Sequence, residues 1–230
     1  MNKYKHIYID LDRTLWDFEA NAREAFREIF EMFDLSGTIP DFMEFIDTYV
    51  YYNEKLWEKY GKGRIKKELL RTERFRLTLN KFKIKDFDLV NKMSDAYMEI
   101  TPQKSILVKG AVETLNYLHS KYNLYILTNG FPEVQYTKIK NCGIENFFLK
   151  IITSEEAGWH KPDKRIFQYA LKCVNAGKDE SIMIGDNLEI DIKGARNFGM
   201  DQVFYNVDNI SHKVKVTFEI KEFIELMKIF

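Results

Sequence analysis

Cysteine is scarce. Cys142 and Cys173 are the only two in 230 residues, and without CxxC spacing they suggest neither a disulfide framework nor a zinc site. Two free thiols fit a reducing compartment. No excess of either charge exists, since Lys+Arg and Asp+Glu stand at 35 each. Nothing global therefore draws the chain to nucleic acid or to an anionic membrane. No apolar run approaches the roughly 20 residues that span a bilayer. The first residues enter a charged strand pattern directly, without the apolar core of a signal peptide. Internal repeats and low-complexity segments are also missing. A soluble cytoplasmic protein is the expectation, with neither a nucleic-acid nor a membrane partner.

What is present is a large apolar fraction, 45% of residues. That suffices for one large domain or a domain carrying an inserted lobe. The stretch "IYIDLDRTLWDF", Ile7 to Phe18, sets Asp10 and Asp12 at the end of an apolar strand. Residues two apart on an extended chain face the same way. Two carboxylates about 4 Å apart repel by roughly 4 kcal/mol at an effective dielectric near 20. A cation, a shared proton or water must offset that cost.

After Tyr4–Ile9 the apolar period changes. Ala22, Ala25, Phe26, Ile29 and Phe30 follow the three-and-four spacing of an amphipathic helix, with Asp17 as its N-cap and Gly37 as its stop. Further helices are expected over 42–60, 64–80 and 86–100. Beyond Pro102 helices alternate with short apolar strands at 123–128, 150–153, 181–184 and 202–205. That alternation predicts a parallel sheet covered on both faces, an α/β fold. The helical block between the first strand and the rest reads as an insertion. The division expected is a core of 1–16 with 101–230 and a helical domain of 17–100. Residues after Ser211 show no clear pattern.

Ligands of open parallel sheets bind beyond the carboxyl ends of the strands. Those ends offer Asp10, Asp12 and Thr14, then Thr128, Asn129 and Gly130, then Asp186 and Asn187 with Asp191 close behind. Lys161 stands before Pro162 in "HKPD". Carboxylate oxygens suit Mg2+, and a lysine with turn N–H groups suits phosphate. A cation, a lysine and amide donors around one anion are what phosphoryl transfer requires. A carboxylate nucleophile would divide that barrier into two smaller ones.

These residues resemble the haloacid dehalogenase (HAD) superfamily of phosphatases. Its D-x-D-x-[TV] motif matches Asp10, Asp12 and Thr14, and its strand-ending Ser/Thr matches Thr128 in "LTNG". Its lysine matches Lys161, and its GDxxxxD motif matches "GDNLEID" from Gly185 to Asp191. One such motif is weak, but four in order are specific. The resemblance implies a Rossmann-like core with an all-helical C1 cap inserted after strand one. It implies Asp10 as nucleophile and Mg2+ ligand. Asp12 would ligate through its backbone carbonyl and serve as general acid and base, and Asp186 would complete the metal site. Lys161, Thr128, Asn129 and Gly130 would bind phosphate, with Thr14, Asp191 and Asn187 in support. Arg13 departs from the pattern, standing where glycine is frequent, and Asn187 replaces a common Ser or Asp.

The segment 56–75 resembles the cap of the bacterial branch that hydrolyses pyrimidine nucleoside 5′-monophosphates, which implies a small phosphorylated metabolite as partner. Trp16 and Phe18 follow the nucleophile loop and are candidates to stack on a base. The other aromatics read as core, and the sequence around His160 shows no metal-site or triad pattern. A sugar-phosphate phosphatase or a phosphoglucomutase-like enzyme is the nearest alternative. A 2-haloacid dehalogenase would need neither Asp12 nor a cation, and a non-catalytic relative would have lost a motif acid. Monomer and homodimer stay equally open.

Overall fold

In the computed structural model, residues 3–230 are described. Contacts divide the chain into two compact units, residues 1–18 with 105–230, and residues 19–104.

The larger unit is built on a six-stranded sheet of order β3-β2-β1-β4-β5-β6. Its strands are β1 (His6–Ile9), β2 (Asn123–Thr128), β3 (Lys150–Thr153), β4 (Ser181–Gly185), β5 (Asp201–Tyr205) and β6 (Phe218–Ile220). Every neighbouring pair is parallel. β1 is central, with Ile9 opposite both Ile126 and Ile184.

Successive strand residues point to opposite faces, and here both faces are apolar. Ile7, Ile9, Leu124, Ile126, Ile182 and Ile184 join one core cluster. Tyr8, Tyr125, Leu127 and Met183 join the other. Burial on both sides is why these strands read as near-continuous apolar runs. Cys142 packs against the first cluster, and burial pushes its thiol up to about 11.

The helices are α1 (Phe18–Met32), α2 (Phe42–Gly61), α3 (Lys67–Lys81), α4 (Phe87–Ile100), α5 (Ala111–His119), α6 (Pro132–Asn141), α7 (Ser154–Ala157), α8 (Lys164–Cys173), α9 (Lys193–Phe198) and α10 (Leu226–Ile229). The first helix stops at Met32, and Gly37 instead closes a short 3-10 turn, Leu35–Gly37. A π-helical segment, Leu188–Ile192, precedes α9. The boundary between the units falls after Phe18 because the preceding loop is tied to the core. Asp17 N–H donates to the Ile106 carbonyl and Val108 N–H to that of Leu15.

The 19–104 unit has its own aromatic core. Phe26 is fully buried, with ring centroids of Phe45, Tyr49, Phe75 and Tyr97 at 5.2, 4.6, 6.3 and 5.0 Å. Asp41 and Asp86 cap α2 and α4 by accepting from Glu44 N–H and Leu89 N–H. Phe26→Ala is expected to cost about 3–5 kcal/mol in chemical denaturation, because four rings cannot close around the cavity. A loss below about 1 kcal/mol would mean that the cluster repacks.

No described helix is long and apolar enough to cross a membrane.

Candidate active site

After β1 the chain crosses to β2 on one side, while β4 lies on the other. This is the switch point at which open α/β sheets bind ligands. Asp10 leaves the end of β1 with its N–H bonded to the Ile184 carbonyl, 2.9 Å. That bond places its side chain beside the end of β4, where Asp186 begins.

The centre of the site is Lys161, only 3% exposed. Its ammonium donates to Asp10 Oδ1 at 2.6 Å and to the Leu127 carbonyl at 2.7 Å, and lies 2.6 Å from Asp191 Oδ1. An ammonium has three protons, and three protein acceptors take them up. Burial alone would discharge this lysine, but the two carboxylates outweigh that penalty and carry its pKa above the ordinary lysine range. Asn129 explains how the side chain is aimed. Its Oδ1 accepts from Lys161 N–H at 2.8 Å and its Nδ2 donates to the Lys161 carbonyl at 3.0 Å. The Asn129 side chain thus clamps the lysine backbone.

Around this pair the carboxylates are in excess. Oxygens of Asp10, Asp186 and Asp191 lie within 4.8 Å of one another. Burial raises the Asp10 carboxyl well above its usual range; Lys161 pulls it down, while Asp191 and Asp186 push it further up. Burial, then Asp191, pushes Asp186 up to about 7, against the opposing effect of Thr14. The Thr14 hydroxyl donates to Asp186 Oδ1 at 3.0 Å and accepts from Asp186 N–H at 3.1 Å. An all-oxygen set carrying this repulsion fits a hard divalent cation. Asp191 reaches Lys161 only because Gly185 has no side chain, since a Cβ there would sit 2.5 Å from the Asp191 carboxyl carbon.

Asp12 has different neighbours. β1 ends at Ile9, before either aspartate, so the alternation of an extended strand does not govern where Asp12 points. Its Oδ1 lies 2.5 Å from Lys138 Nζ and its Oδ2 accepts from Gln135 Nε2 at 2.8 Å. Each aspartate of the opening motif therefore has its own lysine. Neither Lys138 nor Gln135 was expected from the sequence. Their one signal is the i, i+3 spacing on α6, which stacks them on one face.

Thr128 connects the two groups. Its Oγ1 accepts from Gln135 Nε2 at 2.7 Å and from Gly130 N–H at 3.1 Å. With two donors on the oxygen, the hydroxyl proton is left to donate to an anion. Gly130 N–H is directed to this hydroxyl, and a Cβ on Gly130 would sit 2.2 Å from Gln135 Nε2. Asn187 has a local task, its Oδ1 accepting from Glu189 N–H and Ile190 N–H.

One expectation is overturned. Trp16 is fully buried inside the core cluster of the larger unit, with Lys138 Nζ 3.7 Å from its ring centroid. Its ring is packing and offers no face to a base. Phe18 is half-buried, with the Arg13 guanidinium 5.2 Å from its ring centroid. Arg13 has a φ of 65°, in the left-handed region that favours glycine. The positive φ accounts for glycine being frequent at this position.

A buried carboxylate paired with a lysine, beside an acidic oxygen cluster, thus sits at the switch point of a Rossmann-like core. The chain belongs to the haloacid dehalogenase-like hydrolases, whose family model matches residues 4–199. The HAD-hydrolase YfnB of Bacillus subtilis is 29% identical over 233 residues, 100% of this chain and 96% of that one. A crystal structure of YfnB bound to magnesium superposes with a TM-score of 0.89 at 28% identity, covering 99% of both chains. The pyrimidine 5′-nucleotidase YjjG of Escherichia coli is 29% identical over 205 residues, 89% of this chain and 87% of that one. The glyceraldehyde 3-phosphate phosphatase of Pyrococcus furiosus is 32% identical over 209 residues, 89% and 82% of the two chains.

Proposed function

We propose that this chain is a magnesium-dependent phosphomonoesterase acting through an aspartyl phosphate on Asp10, with pyrimidine nucleoside 5′-monophosphates as its preferred substrates. The observation that supports this most is the placement of Asp10, buried on Lys161 and within 4.8 Å of two further carboxylates. The adjacent ammonium holds such a carboxylate in one orientation and favours its ionised form against the burial that opposes it.

In the first half-reaction an Asp10 oxygen attacks phosphorus, the ester P–O bond breaks, and Asp12 gives a proton to the departing alkoxide. In the second, water attacks the same phosphorus, Asp12 takes its proton, and inorganic phosphate leaves as Asp10 is restored. Asp10, Asp186 and the Asp12 backbone carbonyl would hold Mg2+, which supplies charge neutralisation on the phosphoryl oxygens. The Thr128 hydroxyl donates to those oxygens. Lys161 contributes its charge, because its protons are already engaged. The 19–104 unit is read as the cap that selects the substrate.

The pyrimidine assignment is supported by the likeness to YjjG. The likeness to the Pyrococcus furiosus enzyme favours a second reading, a small sugar-phosphate phosphatase, and the burial of Trp16 leaves Phe18 as the aromatic candidate beside the nucleophile loop. Initial rates on UMP, CMP, TMP, AMP, hexose 6-phosphates and glyceraldehyde 3-phosphate, with Mg2+ and after EDTA, test both points. Pyrimidine nucleotides are expected to be turned over at least tenfold faster than the sugar phosphates, and EDTA to remove activity until Mg2+ is restored. Faster turnover of a sugar phosphate would reverse the substrate assignment. Undiminished turnover in EDTA would remove the metal from the reaction.

A further inference from the structure

Lys138 and Gln135 on α6 touch none of the reacting atoms named above, yet both are bonded to Asp12. Lys138 is 4% exposed and Gln135 fully buried, and burying an ammonium is unfavourable unless a partner compensates it. Here the partners are the Asp12 carboxylate, 2.5 Å away, and the face of Trp16. A lysine ammonium has only donors, and Gln135 presents its Nε2 donor to Asp12 and Thr128 together. Both Asp12 oxygens are therefore acceptors, and the two contacts fix the orientation of its plane. Acceptance of a proton from water, the second of the tasks assigned to Asp12, depends on that orientation. We infer that Lys138 and Gln135 are positioning residues that hold Asp12 as an oriented base for hydrolysis of the phosphoenzyme.

This inference rests on the proposed phosphatase reading and makes a separate demand of the kinetics. p-Nitrophenyl phosphate is the probe, because its phenolate leaves without a proton donor and the first half-reaction is then insensitive to Asp12. In Lys138→Met, kcat with Mg2+ present is expected to fall by about 10–100-fold, part of the 10²–10⁴ typical of general acid–base catalysis. KM should fall with it, so that kcat/KM stays within about threefold of the wild-type value, as expected when only a later step is slowed. Stopped-flow mixing should show a burst near one p-nitrophenolate per enzyme. Lys138→Arg keeps the charge and should recover much of kcat. Gln135→Met keeps the Lys138–Asp12 pair and should show the same split more weakly; it decides the matter if Lys138→Met does not fold. Equal losses in kcat and kcat/KM without a burst, or no change in either, would overturn the inference. If Asp10→Asn abolishes turnover while the α6 variants show no split, this inference fails alone. If Asp10→Asn stays active, the phosphatase reading fails with it.

Discussion

Asp10→Asn is expected to bring hydrolysis of p-nitrophenyl phosphate to background, a loss of more than about 10³-fold. The substitution keeps the shape of the side chain and removes the charge that makes it a nucleophile. It also relieves a conflict, because burial and the neighbouring Asp191 and Asp186 all act against an ionised Asp10. The variant should therefore melt no lower than wild type when both are stripped of metal. Loss of activity at unchanged or raised melting temperature is the signature of a site that sacrifices stability for reactivity. A variant that still turns over would place the chemistry elsewhere, and one that is inactive because it is unfolded would contradict the electrostatic account of this pocket.

Lys161→Met is expected to be the most damaging change to the fold. The side chain is buried between Asp10 and Asp191, and removing one partner of a buried ion pair typically costs about 3–5 kcal/mol. Activity should fall by more than about 10²-fold, since nothing then favours the ionised form of Asp10 or aligns it. The loss has a definite pH dependence. Lys161 acts to lower the Asp10 pKa, so without it that carboxyl rises further above its unfolded value. A carboxyl with a raised folded pKa binds more protons in the native state, so its effect on stability worsens as pH rises above about 4, the unfolded value. Denaturation at pH 5 and pH 8 should therefore show a larger penalty at pH 8, where the unpaired carboxylates are charged. Equal penalties at both pH values would mean that the loss comes from packing alone.

The strands beneath this site could be read from the sequence because they are buried on both faces. Asn123–Thr128 and Lys150–Thr153 occur where the apolar runs put them, and β4 and β5 extend their runs by one residue each, to Gly185 and from Asp201. β6 was missed because three residues at a sheet edge, Phe218–Ile220, are too short to show a period. The π-helical turn at Leu188–Ile192 could not be anticipated, because i→i+5 bonding leaves no mark in the apolar pattern of so short a segment.

Trp16 shows the limit from the other side. An aromatic next to a nucleophile loop fits a substrate platform and a core residue equally well, and only the packing of Leu15, Trp16 and Leu107 into one cluster decides between them. Asn129 is similar, since its position after Thr128 marks it as a rim residue while its side chain turns inward to clamp Lys161.

Local order alone determined the kinds of chemistry available here: acids, a threonine and a lysine at the ends of alternating strands, each legible because β-strands terminate at one rim. Tertiary structure decided how those groups are shared out, giving Asp10 to Lys161 and Asp12 to Lys138. The reason is that a buried charge is stable only beside its counter-charge, and which charges become neighbours is set by crossovers joining residues more than a hundred positions apart.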